Sequence, residues 1–64
     1  MKWTEIYEIA AELAETLPNT NPKNIRFTDL HNWIIALPNF DDFPDRGGEK
    51  VLEAIQQAWI EECE

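Results

Sequence analysis

The sequence predicts a mainly α protein, folded as one small domain of three helices. Apolar residues recur at helical spacing in three segments, and Pro and Gly residues separate these segments. A chain of 64 residues has room for a single domain, residues 1–64. Its residues are 44% hydrophobic and include three Trp, which is too apolar for a solvated tail. We therefore expect a folded domain with one small core.

The first helix is predicted to follow Thr4, as its N-cap, and to run to about Leu17, because Pro18 ends it. Its apolar residues have the spacing of a stripe that faces a core: Ile6, Ile9, Ala10, Leu13 and Leu17. Four glutamates fall within a separate sector of about 80° on the same helix. We call this flank the glutamate ridge: Glu5, Glu8, Glu12 and Glu15.

The second helix is predicted to begin with Thr28 as its cap and to end before Pro38. Asp29 lies in its first turn, where a negative charge interacts favourably with the helix dipole. Its apolar face consists of Leu30, Trp33, Ile34 and Leu37. Residues 25–27, just before this helix, are expected to form a short extended segment.

The third helix is predicted from about Glu49 to Glu62, after the flexible pair Gly47-Gly48. Its buried stripe consists of Val51, Leu52, Ile55, Ala58 and Trp59. The three Trp residues come from three different segments of the chain. We expect them to meet in or around one core: Trp3, Trp33 and Trp59.

The charge balance excludes several classes of partner. Thirteen Asp and Glu residues against five Lys and Arg residues give a net charge of −8. This sign argues against nucleic acid and against anionic membrane surfaces, because both attract cationic proteins. The sequence also has no signal-peptide pattern and no apolar stretch long enough to span a membrane. We expect a cytoplasmic monomer.

The residues that could support catalysis do not form a recognisable constellation, so we expect no enzymatic activity. His31 is the only histidine and lies on a short helix. Cys63 is the only cysteine, which excludes an internal disulfide. Its neighbours Glu62 and Glu64 disfavour a reactive thiolate.

The segment between the second and third helices, residues 38–48, is the acidic loop. With the start of the next helix it places four carboxylates within nine residues: Asp41, Asp42, Asp45 and Glu49. Oxygen ligands suit hard cations and ferrous iron, but the pattern does not match a calcium-binding loop. The sequence predicts at best a weak, exchangeable metal site. The alternative is an acidic loop in which Asp42 or Asp45 makes turn hydrogen bonds.

The glutamate ridge brings like charges together at i, i+3 and i, i+4. Each such pair costs roughly 0.2–0.5 kcal/mol, and the first helix has no Lys or Arg to relieve the repulsion. A solubilising face usually mixes charges of both signs. The ridge is therefore either a solubilising face or a docking surface for a basic partner.

Particular motifs of the chain closely resemble those of the IscX (YfhJ) family. The specific combination is Arg26-Phe27-Thr28-Asp29-Leu30-His31, then Trp33, then Glu49-Lys50 followed by Leu52-Glu53-Ala54-Ile55 and a late Trp59. Residues 2–4 and 40–42 add to the resemblance, which covers essentially the whole chain. The chain departs from the usual family pattern at Asn21, Phe43 and Gly47-Gly48, which makes the acidic loop less acidic and leaves a weaker helix cap.

The resemblance implies a small helical fold related to the winged helix, with short extended segments. It also implies an accessory role in iron–sulphur cluster assembly. Family members bind a cysteine desulfurase on a basic surface that is also used by the bacterial frataxin and by ferredoxin, and they bind Fe²⁺ weakly through acidic side chains. For this chain the expected partner-binding residues are the glutamate ridge together with Asp29, Asp41 and Asp42.

Three functions remain open from the sequence. The first is a regulator that docks on the desulfurase and modulates it according to iron supply. The second is an iron donor that holds Fe²⁺ on exchangeable carboxylates, with no tightly bound cofactor. The third is an acidic mimic of nucleic acid that blocks a DNA-binding protein.

Overall fold

A computed structural model describes residues 1–64 and contains three α-helices. They are α1 (Ile6–Thr16), α2 (Phe27–Ile35) and α3 (Glu49–Cys63), with single 3₁₀ turns at Pro22–Asn24 and Pro44–Arg46. The prediction of a mainly α, three-helix domain is confirmed. No strand forms, so the chain has no β-hairpin wing. None of the helices is long and apolar enough to cross a membrane.

The starts of α1 and α2 differ from the predicted ones. The N-cap of α1 is Glu5 rather than Thr4, because the preceding residues close a turn in which Glu5 N–H donates to the carbonyl of Lys2 at 2.9 Å. The N-cap of α2 is Arg26, and Thr28 lies inside the first turn. The predicted extended segment is limited to Ile25 and Arg26, because Phe27 is already helical.

The core lies between α1 and α3, with α2 packed across them. Eleven buried apolar residues form it: Trp3, Ile9, Ala10, Leu13, Leu30, Ile34, Leu37, Leu52, Ile55, Ala58 and Trp59. Most members of the three predicted stripes are among them, while Ile6, Leu17, Trp33 and Val51 pack against the edge of this core. Trp33 meets Trp59 edge to face, with ring centroids 6.2 Å apart. The three Trp residues thus lie in or around one core, as predicted.

The N-terminus of α3 is under-capped. Gly48 is its N-cap and offers no side-chain hydrogen bond, and a Cβ at this position would meet no atom within 4 Å. We expect Gly48→Ser to raise the free energy of unfolding by a few tenths of a kcal/mol, because the hydroxyl can accept from an unpaired N–H of the first turn. The urea midpoint checks this prediction, and a lower midpoint for the variant would contradict it.

Candidate functional site

The first residues of the chain lie alongside the acidic loop. Asp41 N–H donates to the carbonyl of Met1 at 2.8 Å, and the amino group of Met1 donates to the carbonyl of Asn39. These bonds join positions almost 40 residues apart in the sequence. The acidic loop is thereby held against the residues that precede α1.

Trp3 anchors this junction. Its side chain is only 3% exposed, and its indole N–H donates to the carbonyl of Phe43 at 2.7 Å. The ring stacks on His31 with centroids 5.4 Å apart and meets the edge of Phe40 at 4.8 Å. A Cβ on Gly47 would lie 2.5 Å from the same ring. Position 47 therefore has no room for a side chain unless the Trp3 ring moves.

Asp42 ties the acidic loop to the N-terminal segment. One carboxylate oxygen accepts from Trp3 N–H at 3.0 Å, and the other accepts from Phe43 N–H at 2.7 Å. The bond from Trp3 N–H has the largest effect on the pKa of the Asp42 carboxyl, and that from Phe43 N–H the next largest. Both lower this pKa below its ordinary value because they stabilise the ionised form. Asp42 thus makes one local hydrogen bond, to Phe43 N–H, as the non-metal interpretation of this loop expects, and a second one to the distant Trp3 N–H.

Because the pKa of Asp42 is lowered in the folded state, we expect the protein to lose stability in acid as this carboxylate is protonated. A depressed pKa in the folded state means that the stabilisation is fully present above the unfolded-state pKa of about 3.9 and is lost as the pH falls through the folded-state value. We expect Asp42→Asn to be less stable than the wild type at neutral pH, and the difference to shrink at low pH. Urea midpoints measured from pH 7 down to about pH 3 check this. Asp41→Asn is the control, and an equal loss in both variants would contradict the assignment.

Lys2 lies between the glutamate ridge and the acidic loop. Its backbone N–H donates to the Glu5 carboxylate at 2.6 Å, and its ammonium group lies 3.3 Å from the Asp41 carboxylate. The backbone hydrogen bond from Lys2 lowers the pKa of the Glu5 carboxyl, because it stabilises the ionised form. Two acidic clusters that are separate in sequence are therefore neighbours across a single lysine.

The remaining carboxylates of the predicted site have no cationic partner. Glu8, Glu15 and Asp29 are exposed and Glu12 is half-buried. The structure contains two ion pairs, Lys2 with Asp41 and Lys23 with Glu64, and both are largely exposed. Exposed pairs of this kind contribute roughly 0–1 kcal/mol. The negative field of the glutamate ridge is therefore almost uncompensated within the protein.

The four carboxylates predicted as metal ligands do not form a resident metal site. No group of three or more His, Cys, Asp or Glu side chains is arranged to hold a metal ion. Both oxygens of Asp42 are directed at backbone N–H groups, while Asp41, Asp45 and Glu49 are exposed. The weak, exchangeable Fe²⁺ site predicted at Asp41, Asp42, Asp45 and Glu49 stays a prediction.

The sequence reasoning missed the roles of Lys2, Trp3 and His31. The Nε2–H of His31 donates to the carbonyl of Pro44 at 2.6 Å, so this histidine also fixes the acidic loop. Cys63 is exposed at the end of α3. The sequence did single out Lys2, which is the only Lys or Arg among the first 22 residues. The other contacts join distant positions and leave no local pattern.

Comparison with known proteins identifies the family. The family model described as iron–sulphur cluster assembly matches residues 1–64, the whole chain. A protein of Pseudomonas aeruginosa, uncharacterized protein PA3808, is 55% identical over 62 residues, which cover 97% of this chain and 94% of that protein. The family match therefore includes the first residues of the chain, the glutamate ridge and the acidic loop together. The chain is therefore a member of the IscX (YfhJ) family of iron–sulphur cluster assembly proteins.

Proposed function

We propose that this protein is a non-enzymatic accessory factor that docks its acidic surface on the basic surface of the cysteine desulfurase and modulates that enzyme. The observation that carries the proposal is the junction at Lys2, which makes the glutamate ridge and the acidic loop neighbours. A partner surface can therefore meet both clusters at once.

The energetics of the glutamate ridge favour such a partner. Its like-charge pairs cost about 1 kcal/mol in total in the free protein, and α1 contains no cation that offsets this cost. Lysine and arginine side chains opposite the ridge would relieve the repulsion in the complex. A net charge of −8 also speeds the encounter with a basic surface through long-range attraction.

The acidic surface is held in place before any partner binds. Three hydrogen bonds join the acidic loop to the rest of the chain. The side chains of Trp3 and His31 each donate to a backbone carbonyl of the loop, and Asp42 accepts from the backbone of Trp3. Side chains and backbone that are already ordered lose less entropy on association. The proposal therefore requires no folding of the acidic loop upon docking.

Metal has no structural part in this proposal. The carboxylates of the acidic loop do not converge on one point, and the proposed docking rests on their charge alone. The iron dependence of the modulation stays a prediction from the family resemblance. A catalytic role is not proposed, because the one histidine holds the acidic loop and the one cysteine lies at the chain end.

The salt dependence of binding tests the proposal. The purified protein is titrated with the cysteine desulfurase of its own host, by calorimetry, at several salt concentrations. We expect the affinity to fall steeply between about 0.1 M and about 1 M salt, because the Debye length shortens from about 10 Å to about 3 Å. Affinity that does not change with salt would contradict docking through charge. Absence of binding at low salt would contradict the proposed function itself.

A further inference from the structure

Tyr7 is a large side chain that the fold does not use. It is 77% exposed and is not among the residues that pack on the core. The only other large exposed apolar side chain is Phe43, 63% exposed, and its ring is partly covered by the Arg46 guanidinium 5.2 Å away. No cationic side chain lies over the Tyr7 ring in this way. Exposed Tyr residues on rigid helices are common anchors of protein interfaces.

Tyr7 forms one wall of an open groove of about 310 Å³ between α1 and α3. The groove is lined by Ile6, Tyr7, Ala54, Gln57, Ala58 and Glu61. Ala54 and Ala58 have short side chains, so the α3 wall of the groove leaves room for a side chain of another molecule. The groove is mostly apolar in its lining and belongs to two well-packed helices.

The charges around this groove are negative. Glu61 lies in its wall, and no Lys or Arg lines it. Glu8 follows Tyr7 on α1, and Glu15 lies two turns further along the same flank. At about 100° per residue, Tyr7 lies between the groove and the glutamate ridge on α1, about 80° from the nearest ridge residue. A second copy of this chain is a poor occupant, since it would bring glutamates against glutamates on molecules of charge −8.

We propose that the groove receives an apolar side chain of the same basic partner surface, with Tyr7 as its anchor and with partner cations opposite Glu8 and Glu61. This inference rests on the proposed function and adds an apolar contact to the charged one. The glutamates set the rate and register of the encounter, while burial of the Tyr7 ring slows dissociation.

The test measures the affinity for the host cysteine desulfurase with three forms of the full chain: wild type, Tyr7→Ala and Tyr7→Phe. We expect Tyr7→Ala to weaken binding about tenfold or more, as central aromatic anchors do. Its slope of affinity against salt should equal that of the wild type, because no charge has changed. Tyr7→Phe should stay within about threefold of the wild type, since the ring is retained. The urea midpoint of Tyr7→Ala should match the wild type, which separates a binding defect from unfolding.

Three outcomes would overturn the inference, and they are distinguishable. Unchanged affinity of Tyr7→Ala, with salt-sensitive wild-type binding, removes the Tyr7 anchor and leaves the proposed function standing. Failure of the wild type to bind removes both. Sedimentation that shows a wild-type dimer and a Tyr7→Ala monomer would instead assign the groove to a second copy of the chain.

Discussion

Replacing Trp3 with Ala is expected to lower the free energy of unfolding by about 3–5 kcal/mol, the range for removing a buried Trp or Phe. The side chain is 3% exposed and donates to the carbonyl of Phe43 at 2.7 Å. Its loss leaves a cavity beside His31 and an unpaired carbonyl in the acidic loop. A domain of 64 residues has a total stability on the order of 3–10 kcal/mol. Trp3→Ala is therefore expected to leave a substantial unfolded population.

Far-UV circular dichroism with urea measures this loss without depending on the fluorescence of the removed Trp. Tyr7→Ala is the matched control, since it also truncates an aromatic side chain near the start of the chain, but an exposed one. We expect the control to change stability by no more than about 0.5 kcal/mol. Trp3→Phe should fall between the two, because it keeps an apolar ring but lacks the indole N–H. Similar midpoints for Trp3→Ala and Tyr7→Ala would contradict the anchoring role.

The helices and their buried faces were predictable from local pattern. Ile9, Leu13 and Ile55 are fully buried, and each belongs to a stripe with helical spacing. Pro18 and Pro38 likewise mark helix ends through chemistry that acts within a turn. The capping residues were less predictable. Thr4 and Thr28 are favourable N-cap residues, but Glu5 and Arg26 occupy the N-cap positions of α1 and α2. A turn closed by Lys2 and Glu5 fixes the start of α1 instead.

The junction of the N-terminal segment with the acidic loop was not predictable in this way. Its hydrogen bonds from Trp3 to Asp42 and to Phe43 join residues 39 and 40 positions apart. In the sequence, Asp42 is only one of several neighbouring carboxylates. Tertiary structure decides that its oxygens accept from backbone N–H groups, while Asp41 next to it stays exposed. The residues of the acidic loop thus divide into those that hold it and those that a partner can reach.

Within the glutamate ridge, Glu5 accepts a hydrogen bond from Lys2 N–H, whereas the side chains of Glu8 and Glu15 make no hydrogen bond or ion pair in the structure. Glu8 and Glu15 are exposed and have no cationic partner, so nothing in the free protein offsets their repulsion. Reversing both charges produces the alternating series Glu, Lys, Glu, Lys along α1. Every i, i+3 and i, i+4 pair of the ridge then becomes attractive. Lys at position 15 gains near the negative end of the helix dipole roughly what Lys at position 8 loses in the first turn. The doubly reversed α1 should be no less stable than the native one.

This expected stability makes the variant a suitable test of docking, and equal urea midpoints of variant and wild type would show that a loss of binding is not due to unfolding. We expect the double variant Glu8→Lys, Glu15→Lys to lose about 100-fold or more in affinity for the desulfurase at about 0.1 M salt, since like charges across an interface cost several kcal/mol. The matched control reverses two exposed glutamates at the end of α3 that do not line the groove, Glu62→Lys and Glu64→Lys, and changes the net charge equally. The control should lose only a few-fold, through long-range attraction alone. Equal losses in the two variants would mean that total charge, rather than contact with the glutamate ridge, sets the affinity.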